Sequence, residues 1–271
     1  MDSKDLHEFD TEKIDRLFQQ AMDGEITSDL IPINDTTVNI MMDRTKLLMG
    51  TIVDYKELMM MYACAMKEIR TKFDVLNTEF KIRYQRNPIR FINTRLKRTA
   101  SIVEKLGRQN LPFSPENIEN HINDVAGIRV VCSYIDDIYT IADSLLHQDD
   151  VTLITKKDYI ANPKPNGYRS LHLIVSIPVF FAERKKEMKA EVQIRTIAMD
   201  FWASLEHQLK YKQEIPNQQD IIMQLKECAD VINATDEKML NIRRQIEAAS
   251  DIPTEEDILF EKLCRLDINP D

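Results

Sequence analysis

The chain has 271 residues, 43% of them hydrophobic, and a formal net charge of −9. That is enough material for one large core domain with helical additions, and the acidic balance argues against general, sequence-independent DNA binding. Cys64, Cys132, Cys228 and Cys264 lie far apart with no CxxC pair, which argues against zinc knuckles and a disulfide framework and predicts reduced thiols.

In chain order, the opening MDSKDLHEFD is polar and charged and predicts no secretory leader. Residues 1–50 read as an N-terminal extension, with a short helix over Thr11–Met22 ended by Gly24 and a loop over Ser28–Thr37. From Asp54 to Tyr84, Leu58, Tyr62, Ala65, Ile69, Phe73, Leu76 and Phe80 recur every three or four residues, the period of a helix. Met59, Met60 and Met61 add soft packing material. Asn87-Pro88 ends that helix, and a second is expected over Ile89–Leu106.

Residues 116–123 predict a short helix with an acidic start, and Ile128–Cys132 a short buried strand. Ile138–Leu146 reads as an amphipathic helix, Val151–Ile154 as a second strand, 169–179 as a third and Met188–Thr196 as a fourth. In the fourth, Glu191, Gln193 and Arg195 share one face, opposite Val192 and Ile194. A helix is expected over residues 197–212, and Pro216 breaks it. Apolar residues from Ile221 to Ile246 at steps of four and three then make a near-heptad seam, the mark of a partner helix or subunit contact. One more short helix is expected after Pro253. No apolar run approaches the roughly 20 residues that cross a bilayer, so a cytoplasmic location is expected. The fold class is α+β: a small mixed sheet flanked by helices, with helical extensions at both ends. The expected divisions are 1–50, 51–215 and 216–271, the last a set of C-terminal helices with an oligomer contact.

The densest polar stretch is DYIANPKPNGYRSLH, Asp158 to His172. Pro163 and Pro165 stiffen it, and Asn166-Gly167 is a turn dipeptide that tolerates positive φ. From Lys81 to Arg108 nine cations face a single acid, Glu104, which reads as a local anion site or as a solvated helix face. The common phosphate and hydrolase motifs are missing: no GxxxxGK[ST], GxGxxG, GxSxG or HExxH occurs, and no histidine precedes an aspartate. What is left is a carboxylate pair, Asp124 and Glu191, able to bind one Mg²⁺ if their strands are neighbours. Arg95, Lys97, Lys105, Arg129, Lys164, Arg169 and Arg195 are then candidates to surround a polyphosphate, Tyr168 to stack a base, and His172 to donate to a phosphate or hydroxyl. Taken singly, each has a bland alternative: a loop carboxylate, a satisfied strand histidine, a core tyrosine.

Together the segments DVAGIRVVC, DYIANPKPNGYRSLHLIV and EVQIRTIAMDFWASLEH closely resemble the synthetase domain of the RelA/SpoT family, which makes (p)ppGpp. TRLKRTASIVEKL and the compact chain are similar to its small alarmone synthetases of the RelQ/RelP type, and the resemblance covers Asp54 to Met239. It implies a mostly antiparallel, nucleotidyltransferase-like sheet and transfer of the ATP β,γ-pyrophosphate to the 3′-hydroxyl of GDP or GTP, with release of AMP. By that resemblance Arg95 and Arg129 sandwich adenine, and Lys97, Ser101 and Lys105 hold the ATP phosphates. Asp124 and Glu191 bind Mg²⁺, Glu191 also receiving or orienting the hydroxyl proton. Tyr168 stacks on guanine, Lys164 and His172 reach the acceptor phosphates, and Asn166, Gln193 and Arg195 line the same side.

No hydrolase, TGS or ACT region fits in this length, so synthesis alone is expected. Some relatives are tetramers that bind the alarmone in a central cleft. Arg90, Phe91, Asn93 and Asp200 correspond to that region, and Asp200 stands where relatives often carry Asn, an acid that would repel a polyphosphate. The expected partners are ATP, GDP or GTP and copies of the same chain, a tetramer being favoured; membrane and DNA are not expected, and nothing indicates RNA. Two rival readings are a guanine-nucleotide sensor without turnover and a nucleotidyltransferase acting on RNA ends. The intact carboxylate pair argues against the first; the acidic charge and the lack of a close DxD pair argue against the second.

Overall fold

The computed structural model describes residues 35–210 and 218–249; the helices expected over Thr11–Met22 and after Pro253 lie outside the described residues. The chain divides into two compact units, Met1–Val53 and Asp54–Asp271. In the first, the described residues from Asp35 onward are helical. They belong to helix α1, Asp35–Tyr84, which starts well before the expected Asp54 and takes in Asp35–Thr37, read from sequence as loop. Nothing on the way breaks it: the stretch has no proline, and one glycine, Gly50, costs a helix only about 1 kcal/mol. The helix stops at Gln85, left-handed at φ 49°, while Arg86 N–H reaches back to Phe80 C=O at 3.3 Å and closes the end.

The second unit holds a five-stranded sheet in the order β1-β2-β5-β4-β3. The strands are β1 Ile89–Leu96, β2 Ala126–Cys132, β3 Thr152–Asp158, β4 Leu171–Phe180 and β5 Lys185–Thr196. β1–β2, β3–β4 and β4–β5 pair antiparallel and β2–β5 parallel, so the sheet is mixed and mostly antiparallel. The helices are α2 Thr99–Arg108, α3 Pro115–His121, α4 Ile135–Leu146, α5 Ile197–Lys210 and α6 Gln218–Ala249.

The expected helix over Ile89–Leu106 is therefore two elements, strand β1 and helix α2. A register shift between Ile89 and Phe91, together with the edge position, leaves β1 with an inside-outside pattern close to helical spacing: Ile89, Ile92 and Leu96 are its covered residues. An alternation argument has nothing to hold on an edge strand exposed over most of its length.

Alternation does set the two faces elsewhere. Leu171, Leu173, Val175, Ile177 and Val179 of β4 and Met188, Ala190, Val192 and Ile194 of β5 point into one core. Leu58, Tyr62, Ala65, Ile69 and Phe73 of α1, with Ile138, Ile141 and Leu145 of α4, belong to the same core. The other face carries the polar residues, in a register that runs across the sheet. Asn93 and Arg95 on β1 pair with Arg129 and Gly127 on β2; these pair with Gln193 and Glu191 on β5; Gln193 pairs with His172 on β4.

α6 keeps part of the first half of the apolar seam inward, Leu225 and Ile232 packing against Trp202 and Ala229, and departs from the seam in its second half. Ala229, Asp236 and Leu240 are buried, whereas Met239, Ile242 and Ile246 are 49%, 40% and 63% exposed. The inward stripe escapes a hydrophobicity count because two of its members are polar and bonded. Thr196 Oγ1 donates to Asp236 Oδ2 at 2.5 Å while accepting from Met199 N–H, and Arg243 Nη2 donates to Asp136 Oδ2 at 2.5 Å.

Two outcomes are expected. Phe73→Ala, at a fully buried site, should lower unfolding free energy by about 3–5 kcal/mol in urea titration. Burial holds the Asp236 carboxyl above its ordinary value despite the Thr196 hydrogen bond. The native state then binds that proton more tightly than the unfolded chain, so stability falls as pH rises through the window above 3.8. Asp236→Asn has no proton to lose, so its stability relative to the parent should improve from about pH 4 to about pH 7 in the same titration.

Candidate active site

The polar face of the sheet floors a cavity of about 770 Å³ lined by Arg95, Lys97, Ser101, Lys105, Asp124, Arg129, Glu191 and Gln193, with Asn93, Glu104, Arg108, Gly127, Ile128 and His207. All five residues expected at the ATP and both expected metal carboxylates therefore share one space. Arg95 and Arg129 are diagonal neighbours across the β1–β2 ladder, on one face. Gly127 stands between them and Glu191, and a Cβ there would sit 3.3 Å from Arg95 C=O, so the bare position keeps the floor open. Ser101, Lys105 and Arg108 follow at four- and three-residue steps along α2, whose opposite side buries Ile102 and Leu106. An adjoining hollow of about 1080 Å³ shares Arg95, Ser101 and His207 and is walled by Leu205 and Leu209 of α5.

Asp124 lies between α3 and β2, where both its oxygens are taken: Lys97 Nζ donates to Oδ2 and Lys105 Nζ to Oδ1, each at 2.8 Å. Burial pushes its carboxyl up, but the hydrogen bonds and charges of Lys105 and Lys97 outweigh that and hold it below the ordinary value. Glu191 behaves alike. Burial raises it, the hydrogen bonds and charge of His172 and Gln193 more than reverse this, and the charge of Asp124 raises it again in part. The net value is low, so both acids are carboxylates at neutral pH, near enough that one is felt by the other.

The residues expected on the acceptor side form a second cluster that meets the first at Glu191. His172 Nδ1 lies 3.2 Å from Glu191 Oε1, and His172 Nε2 lies 2.8 Å from Tyr168 Oη. Arg195 Nη2 donates to that same phenol oxygen at 2.5 Å, and His172 Nδ1, facing a carboxylate oxygen, donates to Glu191. Burial raises the Tyr168 phenol and Arg195 only partly offsets it, which keeps the proton on oxygen. Lys164 Nζ lies 4.7 Å from the ring centres of both Tyr168 and Tyr159. Asn166 Nδ2 donates to Glu206 at 3.0 Å and its Oδ1 accepts from Tyr168 N–H, so it shapes the turn.

Some expectations change. Arg195 does not face open space: it is 4% exposed and held by Tyr168, Gln193, Ser170 and Asp200. Arg169 points away from the cavity towards Asp230 and Ala229, because the turn at Gly167 sends its side chain to α6. Asp200 is not a bare acid: Arg129 and Arg195 approach it at 3.2 and 3.3 Å, which meets the charge expected to repel a polyphosphate. Asn93 lines the cavity floor. Tyr159, Arg108 and His207 were not singled out from sequence, although all three lie in the motif segments or the basic block. Tyr159 packs its ring edge-on to His172 at 5.2 Å, a contact between chain-distant rings that sequence spacing does not reveal.

No group of three or more metal-ligating side chains exists among the described residues. Asp124 and Glu191 line one cationic space and could hold Mg²⁺, which takes one or two carboxylates and completes its shell with water and phosphates, once Asp124 gave up a lysine. A closed all-protein cage would suit it less.

A profile described as the region found in RelA/SpoT proteins matches residues 94–216. The chain is 43% identical over 196 residues to the GTP pyrophosphokinase YwaC of Bacillus subtilis, covering 72% of this chain and 92% of that relative. It is 35% identical over 188 residues to the GTP pyrophosphokinase YjbM of the same organism, covering 69% and 88%. The crystal structure of small alarmone synthetase 2 from B. subtilis superposes with a TM-score of 0.64, covering 71% of this chain and 99% of that one at 43% identity. That of small alarmone synthetase 1, bound to its product pppGpp, superposes with 0.62, covering 68% and 94% at 35% identity. With its motif segments gathered on one sheet face and nearly the whole of these relatives matched, the chain belongs to the RelA/SpoT family, among its small alarmone synthetases.

Proposed function

We propose that this chain is a synthesis-only GTP pyrophosphokinase that transfers the β,γ-pyrophosphate of ATP to the 3′-hydroxyl of GDP or GTP and releases AMP. The observation that carries it is the His172 bridge: a cation-lined cavity and a base-stacking loop are joined by one hydrogen bond at Glu191. A reaction between two nucleotides needs two such half-sites with a carboxylate at the seam.

In this reading Arg95 and Arg129 hold the adenine, and Lys97, Ser101 and Lys105 the ATP phosphates. Tyr168 stacks on the guanine once Lys164 leaves its ring, and Lys164 then reaches the acceptor phosphates. The 3′-oxygen forms a bond to the β-phosphorus while the bond from that phosphorus to the α,β-bridging oxygen breaks, and AMP leaves with the bridging oxygen. Glu191 takes or orients the hydroxyl proton; its low pKa makes it a weak base, so orientation is the larger share. Asp124 and Glu191 are the residues that hold Mg²⁺, which when bound supplies positive charge to the transferring phosphates.

The same reading includes a homo-oligomer, a tetramer being favoured, for which the exposed stripe Met239, Ile242 and Ile246 offers an apolar contact. No helix among the described residues is long and apolar enough to cross a membrane, and a cytoplasmic location completes the picture.

Labelled ATP mixed with GDP or GTP and separated by thin-layer chromatography should give a pyrophosphorylated guanosine product; AMP release without that product would sink the proposal. Glu191→Gln and Asp124→Asn should each lose at least about 3 kcal/mol of transition-state stabilisation, a hundredfold or more in rate, with unfolding midpoints close to the parent's. Normal turnover in both would remove the carboxylates from the chemistry. Tyr168→Ala should raise the acceptor KM by an amount equivalent to about 1–3 kcal/mol of stacking and leave the ATP KM near its starting value.

A further inference from the structure

Helix α6 lies across the turn that carries Tyr168. Gly167 has φ +87° and sits so close to the helix that a Cβ there would fall 2.5 Å from Ala229 Cβ and 3.2 Å from Lys226 Cα. On the other side of Tyr168, Arg169 reaches the same turn of α6. Its Nη1 donates to Gly167 C=O at 3.2 Å and lies 3.4 Å from Ala229 C=O, and its Nη2 donates to Asp230 Oδ1 at 3.1 Å. Trp202, whose ring centre is 6.4 Å from that of Tyr168, donates from Nε1 to Leu225 C=O at 2.9 Å, one turn earlier on α6. Trp202, Ala203 and Ala229 make a small core of their own, against which Tyr168 packs.

Both chain neighbours of Tyr168, and the ring behind it, are thus fixed on one stretch of α6. Among the described residues, none of α6 lines the ATP-side cavity or its adjoining hollow. The guanidinium of Arg169 is 14% exposed, so its bonds are shielded from water, whereas the Asp230 carboxylate is 52% exposed.

We propose that α6 is the positioning element of the acceptor half-site: Arg169, held by Ala229 and Asp230, sets where Tyr168 stands and so sets affinity for the guanine nucleotide without acting on ATP. Arg169 is a positioning residue, since it touches neither the cavity nor the reacting groups. This rests on the assignment of the Tyr168 loop to the acceptor.

The test is steady-state kinetics on the full chain with each nucleotide varied in turn. Arg169→Ala should raise the acceptor KM about tenfold, the loss expected of a shielded charged hydrogen bond, with the ATP KM and the kcat at saturating acceptor within about twofold. Arg169→Lys should recover part of the loss. Asp230→Ala, at the half-exposed partner, should show the same split at about two- to threefold and serves if Arg169→Ala fails to fold. An acceptor KM that stays put in these variants, or rises together with the ATP KM, overturns the proposal. A parent chain that forms no pyrophosphorylated guanosine fails earlier, and takes the functional reading with it.

Discussion

The parallel pairing of β2 with β5 is the constraint on which the site depends. Asp124 and Glu191 are distant in the chain, and no local pattern relates them. One register, Gly127 opposite Glu191, sets the entry of β2 beside the polar face of β5. The same register puts Arg129 against Gln193, and β1 then adds Arg95 and Asn93 on the same side. A slip of one residue in β5 would turn Glu191 and Gln193 into the apolar core and bring Val192 and Ile194 to the surface. The core therefore sets the polar face: Val192 and Ile194 are fully buried, and their burial is what aims Glu191 and Gln193 outward.

A cationic hollow in a protein of net charge −9 needs internal counter-charges, and the structure supplies them one by one. Lys97 and Lys105 close on Asp124, while Arg129 and Arg195 close on Asp200. Lys97, Lys105, Asp124 and Arg129 keep some contact with water, so their pairs are moderate in strength and open to exchange for another anion, whereas Arg195 with Asp200 is shielded. An anion entering the hollow would meet lysines already pointed inward on a strand end and a helix. That lowers the ordering cost that flexible side chains would otherwise bring to binding.

How much was legible in the sequence follows from which signals are local. The α1 stripe, β2, β4 and β5, and the sharing of a face by Glu191, Gln193 and Arg195, all come from periodicity in well-covered elements, and the structure has them. The β1 strand was read as helix because an edge strand with a register shift covers Ile89, Ile92 and Leu96 at helix-like spacing. The inward face of the second half of α6 is not legible in the apolar pattern, because Asp236 and Arg243 point inward to partners on other elements. The residue set at the cavity came from motif segments; its division into two clusters joined by His172 did not, because it depends on which partner each side chain chooses.

The two halves of the site also differ in how they are held. Arg95, Arg129, Glu191 and Gln193 rise from paired strands, and their backbone cannot shift without breaking the ladder. Tyr168 stands on a turn before β4, its phenol tied to Arg195 and His172 and its flanks to α6. A turn fixed by side-chain contacts can be released a few contacts at a time, and a ladder cannot. Lys164 adds one such contact, its Nζ 4.7 Å from the centre of the tyrosine ring. The Tyr168 half is accordingly held by contacts that substitution can loosen singly, and the half carrying Arg95, Arg129 and Glu191 by the register of the sheet.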